Sequence, residues 1–189
     1  MSAHRALLVL NQQVGFISDP PQGIPAARTV RQNIGLVLEQ ARLASSSEQA
    51  PRIIHFRNCG EKGDLDEEGT PTWELLHAPQ PGETVMNIRK SNAFSNPALE
   101  DLIAPEAEIV VVGLMSEYAI KSTCRAALAR GNTVLLIRGA HGTYDHREIT
   151  ESGRLTPAHK ISDQVEADLD DAGVMVLDMK YLSGIFEGR

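Results

Sequence analysis

Short unbroken aliphatic runs alternate along the chain with longer segments in which apolar residues recur every three or four positions. Continuous runs rich in β-branched residues mark parallel strands buried on both faces. Four are clear, at residues 6–10, 52–56, 109–112 and 133–137; residues 174–177 form a weaker fifth and residues 84–88 a sixth. Between them, Val30, Ile34, Val37, Leu38 and Ala41 share one helical face, with Arg28, Arg31, Glu39 and Arg42 off it. Ile120, Thr123, Ala127 and Leu128 form a second face, closed by Gly131 at the position following the C-cap. A third helix is expected from Thr156 as N-cap and Pro157 as its first residue, with Ile161, Val165 and Leu169 along its apolar stripe. Strand–helix alternation with short connections predicts βαβ units: an α/β fold with a mostly parallel sheet and helices on both faces. Residues 45–49 read as a polar loop. Residues 59–82, rich in Gly, Pro and acids, form a connection long enough to suggest a functional excursion.

The 189 residues fit one domain, spanning residues 1–189. A net charge of −7 and the absence of a basic run argue against a nucleic-acid partner. No apolar stretch approaches the ~18 residues of a membrane span, and the first residues lack a signal-peptide pattern, so a cytoplasmic location is expected. Two cysteines, Cys59 and Cys124, are too few for a disulfide scaffold. Cys124 reads as a packed core thiol and Cys59 as a surface thiol of the long loop.

In an open parallel sheet, ligands bind beyond the carboxyl ends of the strands, near the point where strand order reverses. That rule selects residues 11–16, residues from Asn58 onward, residues 88–94, residues 113–119 and residues 139–144. Asn11-Gln-Gln13-Val-Gly-Phe16 follows the first strand. Pro81-Gly82-Glu-Thr-Val85-Met-Asn-Ile88 leads to Ser91-Asn-Ala-Phe94. Gly113-Leu-Met-Ser-Glu-Tyr-Ala119 opens the helix that carries Thr123 and Cys124, and Arg138-Gly-Ala-His141 closes the next strand.

Taken together, these four stretches resemble the isochorismatase-like family, also called the cysteine hydrolases, over essentially the whole chain. The resemblance implies a three-layer α/β/α sandwich with a sheet of about six strands and a homodimer or larger homo-oligomer. It also implies a non-proline cis peptide near Leu114–Met115. The family's usual chemistry uses an Asp base, a Lys and a Cys nucleophile that attacks an amide carbonyl. The aligned positions here are Asn11, Ile88 and Ala119, which can neither take a proton, carry a charge nor attack. Lys90 is the alternative for the Lys role after a two-residue shift.

Gln13, Phe16, Asn58, Trp73, Lys90, Phe94, Met115, Tyr118 and His141 are expected to surround the pocket. His141 is a candidate acid/base group near neutral pH, weighed against a hydrogen-bonded loop histidine. Arg57, Arg89 and Lys90 are candidates for holding a carboxylate, weighed against plain solvation. Some nicotinamidases resembling this chain hold zinc with one Asp and two His. The long loop offers no Asp-x-His pair, so no metal is expected, and no cofactor is implied. Three readings stand open. One is a biosynthetic enzyme acting non-covalently on a small-molecule ligand, without a Cys. Another is a silent pseudoenzyme that binds a ligand or scaffolds. The third is a hydrolase disabled by engineered substitutions.

Overall fold

The computed structural model of the protein describes residues 3–44, 50–149 and 153–186; the loop expected at residues 45–49 lies outside the described residues. In chain order the strands are β1 (Ala3–Leu10), β2 (Arg52–Asn58), β3 (Thr84–Ile88), β4 (Ile103–Leu114), β5 (Thr133–Gly142), β6 (His146–Arg147), β7 (Leu155–Thr156) and β8 (Met175–Asp178). Six of them form one sheet in the order β3-β2-β1-β4-β5-β8, with every pairing parallel. β6 and β7 form a short antiparallel ribbon. The helices are α1 (Val14–Ile17), α2 (Ala27–Leu43), α3 (Ala98–Leu102), α4 (Lys121–Ala129), α5 (Ala158–Asp171) and α6 (Leu182–Ile185).

Strand alternation divides the apolar residues between two layers. Leu8 and Leu10 of β1 face a cluster that includes Leu99 of α3, Cys124 and Ala127 of α4, and Val165 and Leu169 of α5. Leu7 and Val9 face the opposite cluster, where α2 contributes Val30, Ile34, Val37, Leu38 and Ala41 and α6 contributes Leu182 and Ile185. Each fully buried side chain of this kind contributes about 1.5–3 kcal/mol relative to exposure. The result is the expected three-layer α/β/α sandwich.

Helix α4 ends as its sequence predicts. Gly131 has φ +94°, and Gly131 N and Asn132 N donate to Leu128 O and Ala127 O at 2.9 and 3.1 Å. Helix α5 differs by one residue from its expected start. Thr156 lies in β7 and Pro157 is the N-cap. The cap comes instead from a distant segment, Asp145 Oδ1 accepting from Ala158 N at 2.7 Å.

The far end of the sheet carries a buried ionic cluster. The Glu83 carboxylate accepts from Arg42 Nε at 2.7 Å, Gln80 N at 2.9 Å and His55 Nε2 at 2.8 Å. Burial alone would raise its pKa, but these donors hold the carboxyl at about 2 against an ordinary 4.5. Its stabilisation is therefore fully present above the ordinary value and is lost as pH falls toward the folded one, with a size on the order of 3 kcal/mol. Urea midpoints measured from pH 7 to pH 2 are expected to fall steeply below pH 4.5 in the parent. Glu83→Gln is expected to be weaker at pH 7 and flatter across that window; an unchanged acid limb would contradict the assignment.

Candidate functional site at the carboxyl edge of the sheet

Strand order reverses between β1 and β4, and the functional stretches gather there. Across this edge Leu10 of β1 pairs with Gly113 of β4, and Gly113 pairs with His141 of β5. Gly113 has φ +123°, and a Cβ on it would lie 2.0 Å from Leu10 O. Only glycine lets the two strands approach this closely. Asn11 follows β1 with φ +50°, a left-handed conformation that asparagine tolerates better than most side chains. Its backbone N donates to Phe56 O at 3.0 Å and its Nδ2 to Leu114 O at 3.1 Å, tying the ends of β1, β2 and β4 together. Its Oδ1 is buried with no hydrogen-bond partner among the described residues. The bond from Leu114 to Met115 is cis.

A π-helical turn, Ser116–Ile120, leads from Met115 into α4. Within it Ala119 is buried in one apolar cluster with Ile88, Phe94, Ile120 and Cys124. Ile88, Phe94 and Ala119 thus come together, as oily packing. Met115 and Phe16 are partly buried against the cluster on the other face of the sheet. Lys90 is exposed. Tyr118 is 55% exposed, its ring 6.2 Å from that of His146.

Gln13, Asn58 and Trp73 also come together, in a clasp that pins residues 59–82 over this edge. Gln13 donates from Nε2 to Asn58 O at 3.0 Å and accepts at Oε1 from Asn58 N at 2.9 Å. Trp73 Nε1 donates to the same carbonyl at 3.0 Å, and the Arg57 guanidinium stacks 3.8 Å from the Trp73 ring. Gln12 holds His77 N and His77 O in the same two-ended way. Asn58 Nδ2 also donates to Asp66. Backbone groups of a long loop need partners when buried, and these amides supply them.

The folded-back loop overturns one expectation. Cys59 is buried rather than on the surface. Its thiol is pushed up first by burial and then by the Glu68 carboxylate. Cys124 is fully buried, and burial pushes its thiol up to about 12. Arg57 pairs with Glu74, and Arg89 with Glu68. Among the described residues no group of three His, Cys, Asp or Glu is placed to hold a metal ion.

His141 is hydrogen-bonded, but it is buried in β5 rather than on a loop. The β4–β5 register shifts between Val111 and Gly113, so that four residues of β5, 137–140, lie opposite the single β4 residue Val112 just before His141. Ser116 Oγ lies 2.9 Å from His141 Nδ1, and Glu166 Oε1 lies 3.1 Å from His141 Nε2. Glu166 Oε2 accepts from Arg138 Nε at 2.6 Å. Burial would raise the Glu166 carboxyl, but the bonds from His141 and Arg138 outweigh it and lower its pKa. A cavity of about 440 Å³ opens here, walled by His141, Thr143, Ser162 and Glu166 on one side and by Ala26 and Thr29 at the start of α2 on another. Thr143 Oγ1 donates to Glu117 Oε1 at 2.9 Å, and His146 Nε2 reaches the same oxygen at 2.8 Å.

Sequence reading singled out neither Ser116, Ser162 nor Glu166. The available signal was the pair Ser162 and Glu166, four apart and bordering the apolar stripe of α5, which places both on one face of that helix.

Comparison with known proteins supplies the context. The family described as isochorismatase domain matches residues 5–154. A streptothricin hydrolase of Streptomyces noursei is 36% identical over 145 residues, covering 75% of this chain and 55% of the relative. A second streptothricin hydrolase of that organism is 33% identical over 171 residues, covering 88% of this chain and 60% of the relative. The chain therefore spans 55–60% of the length of these curated relatives. Among solved structures, an isochorismatase from Pseudomonas putida superposes with a TM-score of 0.78 at 26% identity, covering 94% of this chain and 89% of the other.

Proposed function

The chain belongs to the isochorismatase family of hydrolases, and from that premise we propose that it binds a small organic molecule and acts on it without a thiol intermediate. The state of its thiols carries this reading. The sequence holds only two cysteines, both are buried, and both have raised pKa values. A reactive cysteine needs access and a depressed pKa, because the thiolate is the attacking species. Neither condition is met. By the resemblance set out above, the nucleophile's position falls on Ala119 and the Lys position on Ile88, with Lys90 the alternative; Ile88 and Ala119 are buried in the apolar cluster that also holds Phe94. Asn11, in the position of the base by the same resemblance, donates from Nδ2 to Leu114 O.

The apolar filling of that position favours a second reading, a binding protein that is catalytically silent. One experiment addresses both. The protein is incubated with streptothricin, which the relatives' name suggests, and with nicotinamide and carbamoyl amides. Ammonia and product masses are followed before and after iodoacetamide treatment. The expected result is no turnover that alkylation abolishes; robust ammonia release that alkylation stops would overturn the proposal. Binding of these amides without turnover would favour the silent reading.

A further inference from the structure

We propose that Ser162 is an activated serine nucleophile, driven by a buried relay through Ser116, His141 and Glu166, and that the cavity it lines takes small carboxylic esters. The inference rests on the thiol-free reading above and assigns to a hydroxyl the work that no thiol is placed to do.

The direction of the relay follows from counting donors. Glu166 is ionised and can only accept, and Arg138 already donates to its Oε2. His141 must therefore present Nε2–H to Glu166 Oε1, which leaves Nδ1 as an acceptor. The partner of Nδ1 is Ser116 Oγ, so Ser116 spends its one proton there. Ser162 Oγ lies 3.1 Å from Ser116 Oγ. With the Ser116 proton committed, Ser162 donates and Ser116 accepts. Every proton in the chain points inward toward Glu166, and the lone pairs of Ser162 are left for the cavity. Ser116 is wholly buried, whereas Ser162 is only half-buried and lines the cavity. Ser162 is thus the hydroxyl a ligand can reach. This is the arrangement of an activated nucleophile, a hydroxyl whose proton has a base to go to and whose base is held by a carboxylate.

The start of α2 forms another wall of the cavity. That helix of 17 residues has no side-chain cap and no acid in its first turn. Its N-terminal partial charge favours an oxygen developing negative charge. A volume of about 440 Å³ suits a small ligand.

In the step proposed, a bond forms from Ser162 Oγ to the ester carbonyl carbon. The Ser162 proton passes to Ser116 Oγ as the Ser116 proton passes to His141 Nδ1, giving an imidazolium held by Glu166. The carbon–alkoxy bond then breaks, and the alkoxide leaves into the cavity, where it takes a proton from water. The hydroxide so formed attacks the acyl-serine, and Ser162 leaves the acyl carbon and regains its proton from the imidazolium through Ser116. An ester fits because an alkoxide can depart unprotonated, whereas an amine must be protonated first.

The test uses the full chain and a fluorophosphonate probe, with p-nitrophenyl acetate as substrate and peptide mapping to locate the label. Native protein is expected to take up one label at Ser162 and to release about one equivalent of nitrophenol in a burst. Ser162→Ala is expected to abolish both. Ser116→Ala is expected to slow labelling about 100-fold, the scale of general-base assistance. Ser116→Thr, which keeps a hydroxyl, is expected to restore most of the rate, a rescue that a purely structural role would not produce. Absence of label at Ser162, or equal labelling of the parent and Ser116→Ala, would overturn the assignment. Neither result bears on the thiol-free reading, which fails only if amide turnover proves sensitive to alkylation.

Discussion

Gly113→Ala is expected to cost about 4 kcal/mol or more and to yield little soluble protein, because it strikes the place where β1 and β4 touch most closely. The added methyl would sit 2.0 Å from Leu10 O and 2.7 Å from Leu10 C and N, all of them backbone atoms. No rotamer change relieves a backbone clash, so the strands must separate. The backbone angle of +123° adds a second obstacle, since residues with a Cβ rarely adopt it. Separation would also break the row Leu10–Gly113–His141 that sets the carboxyl edge. Expression yield and a urea midpoint give the measurement. A midpoint within about 1 kcal/mol of the parent would show that the edge adjusts freely, against the close packing seen here.

The second large effect is expected one strand end away. Asn11→Asp should destabilise the fold by about 2–4 kcal/mol at pH 8. Asn11 Nδ2 donates to Leu114 O. A carboxylate has no proton to donate, and it would set a buried negative charge against a carbonyl oxygen. The neutral acid can donate, so the folded state would bind the proton more tightly than the unfolded chain does. The folded pKa of the new carboxyl is thus raised. Its stability penalty is full above that raised value and recovers as pH falls through it. Denaturation midpoints of parent and variant should therefore diverge at pH 8 and converge in acid. Equal stability at pH 8 would mean that the position accommodates a charged base, and would return Asn11 to the catalytic possibilities.

These two residues show how much of the molecule was legible beforehand. Continuous aliphatic runs announced the strands because both faces of a parallel sheet are buried, and each of the six expected runs became a strand of the main sheet. Gly113 and the stretch after it were legible through their spacing from the preceding run. The cis bond at Leu114–Met115, implied by the resemblance, is present. What could not be read was the long-range pairing. Whether Cys59 is exposed depends on where residues 59–82 fold back, and that depends on the two-ended amide bonds of Gln12 and Gln13. The N-cap of α5 was misplaced by one residue because Asp145, thirteen positions away, supplies the cap. Ser116, His141, Ser162 and Glu166 come from three separate segments. A bulge in β5 sets the register that lets them meet, and local patterning carries no signal for such a bulge.

The site also sorts polar from apolar in a way composition could not. Ile88 and Ala119 joined the core, while Asn11 became a brace between strand ends. The polar groups left facing a cavity lie beside β5, one strand further along the same carboxyl edge. Fold and reaction are separable in this way because a scaffold presents several strand ends to the same edge.

The proposed function depends on there being no activated thiol in the native protein. Titration with a water-soluble disulfide reagent at pH 7, in native buffer and again in urea, measures it directly. Cys59 and Cys124 are expected to react only as fast as the protein opens and to react fully once it is unfolded. A thiol that reacts within seconds in the native state would contradict the account and return the protein to cysteine chemistry.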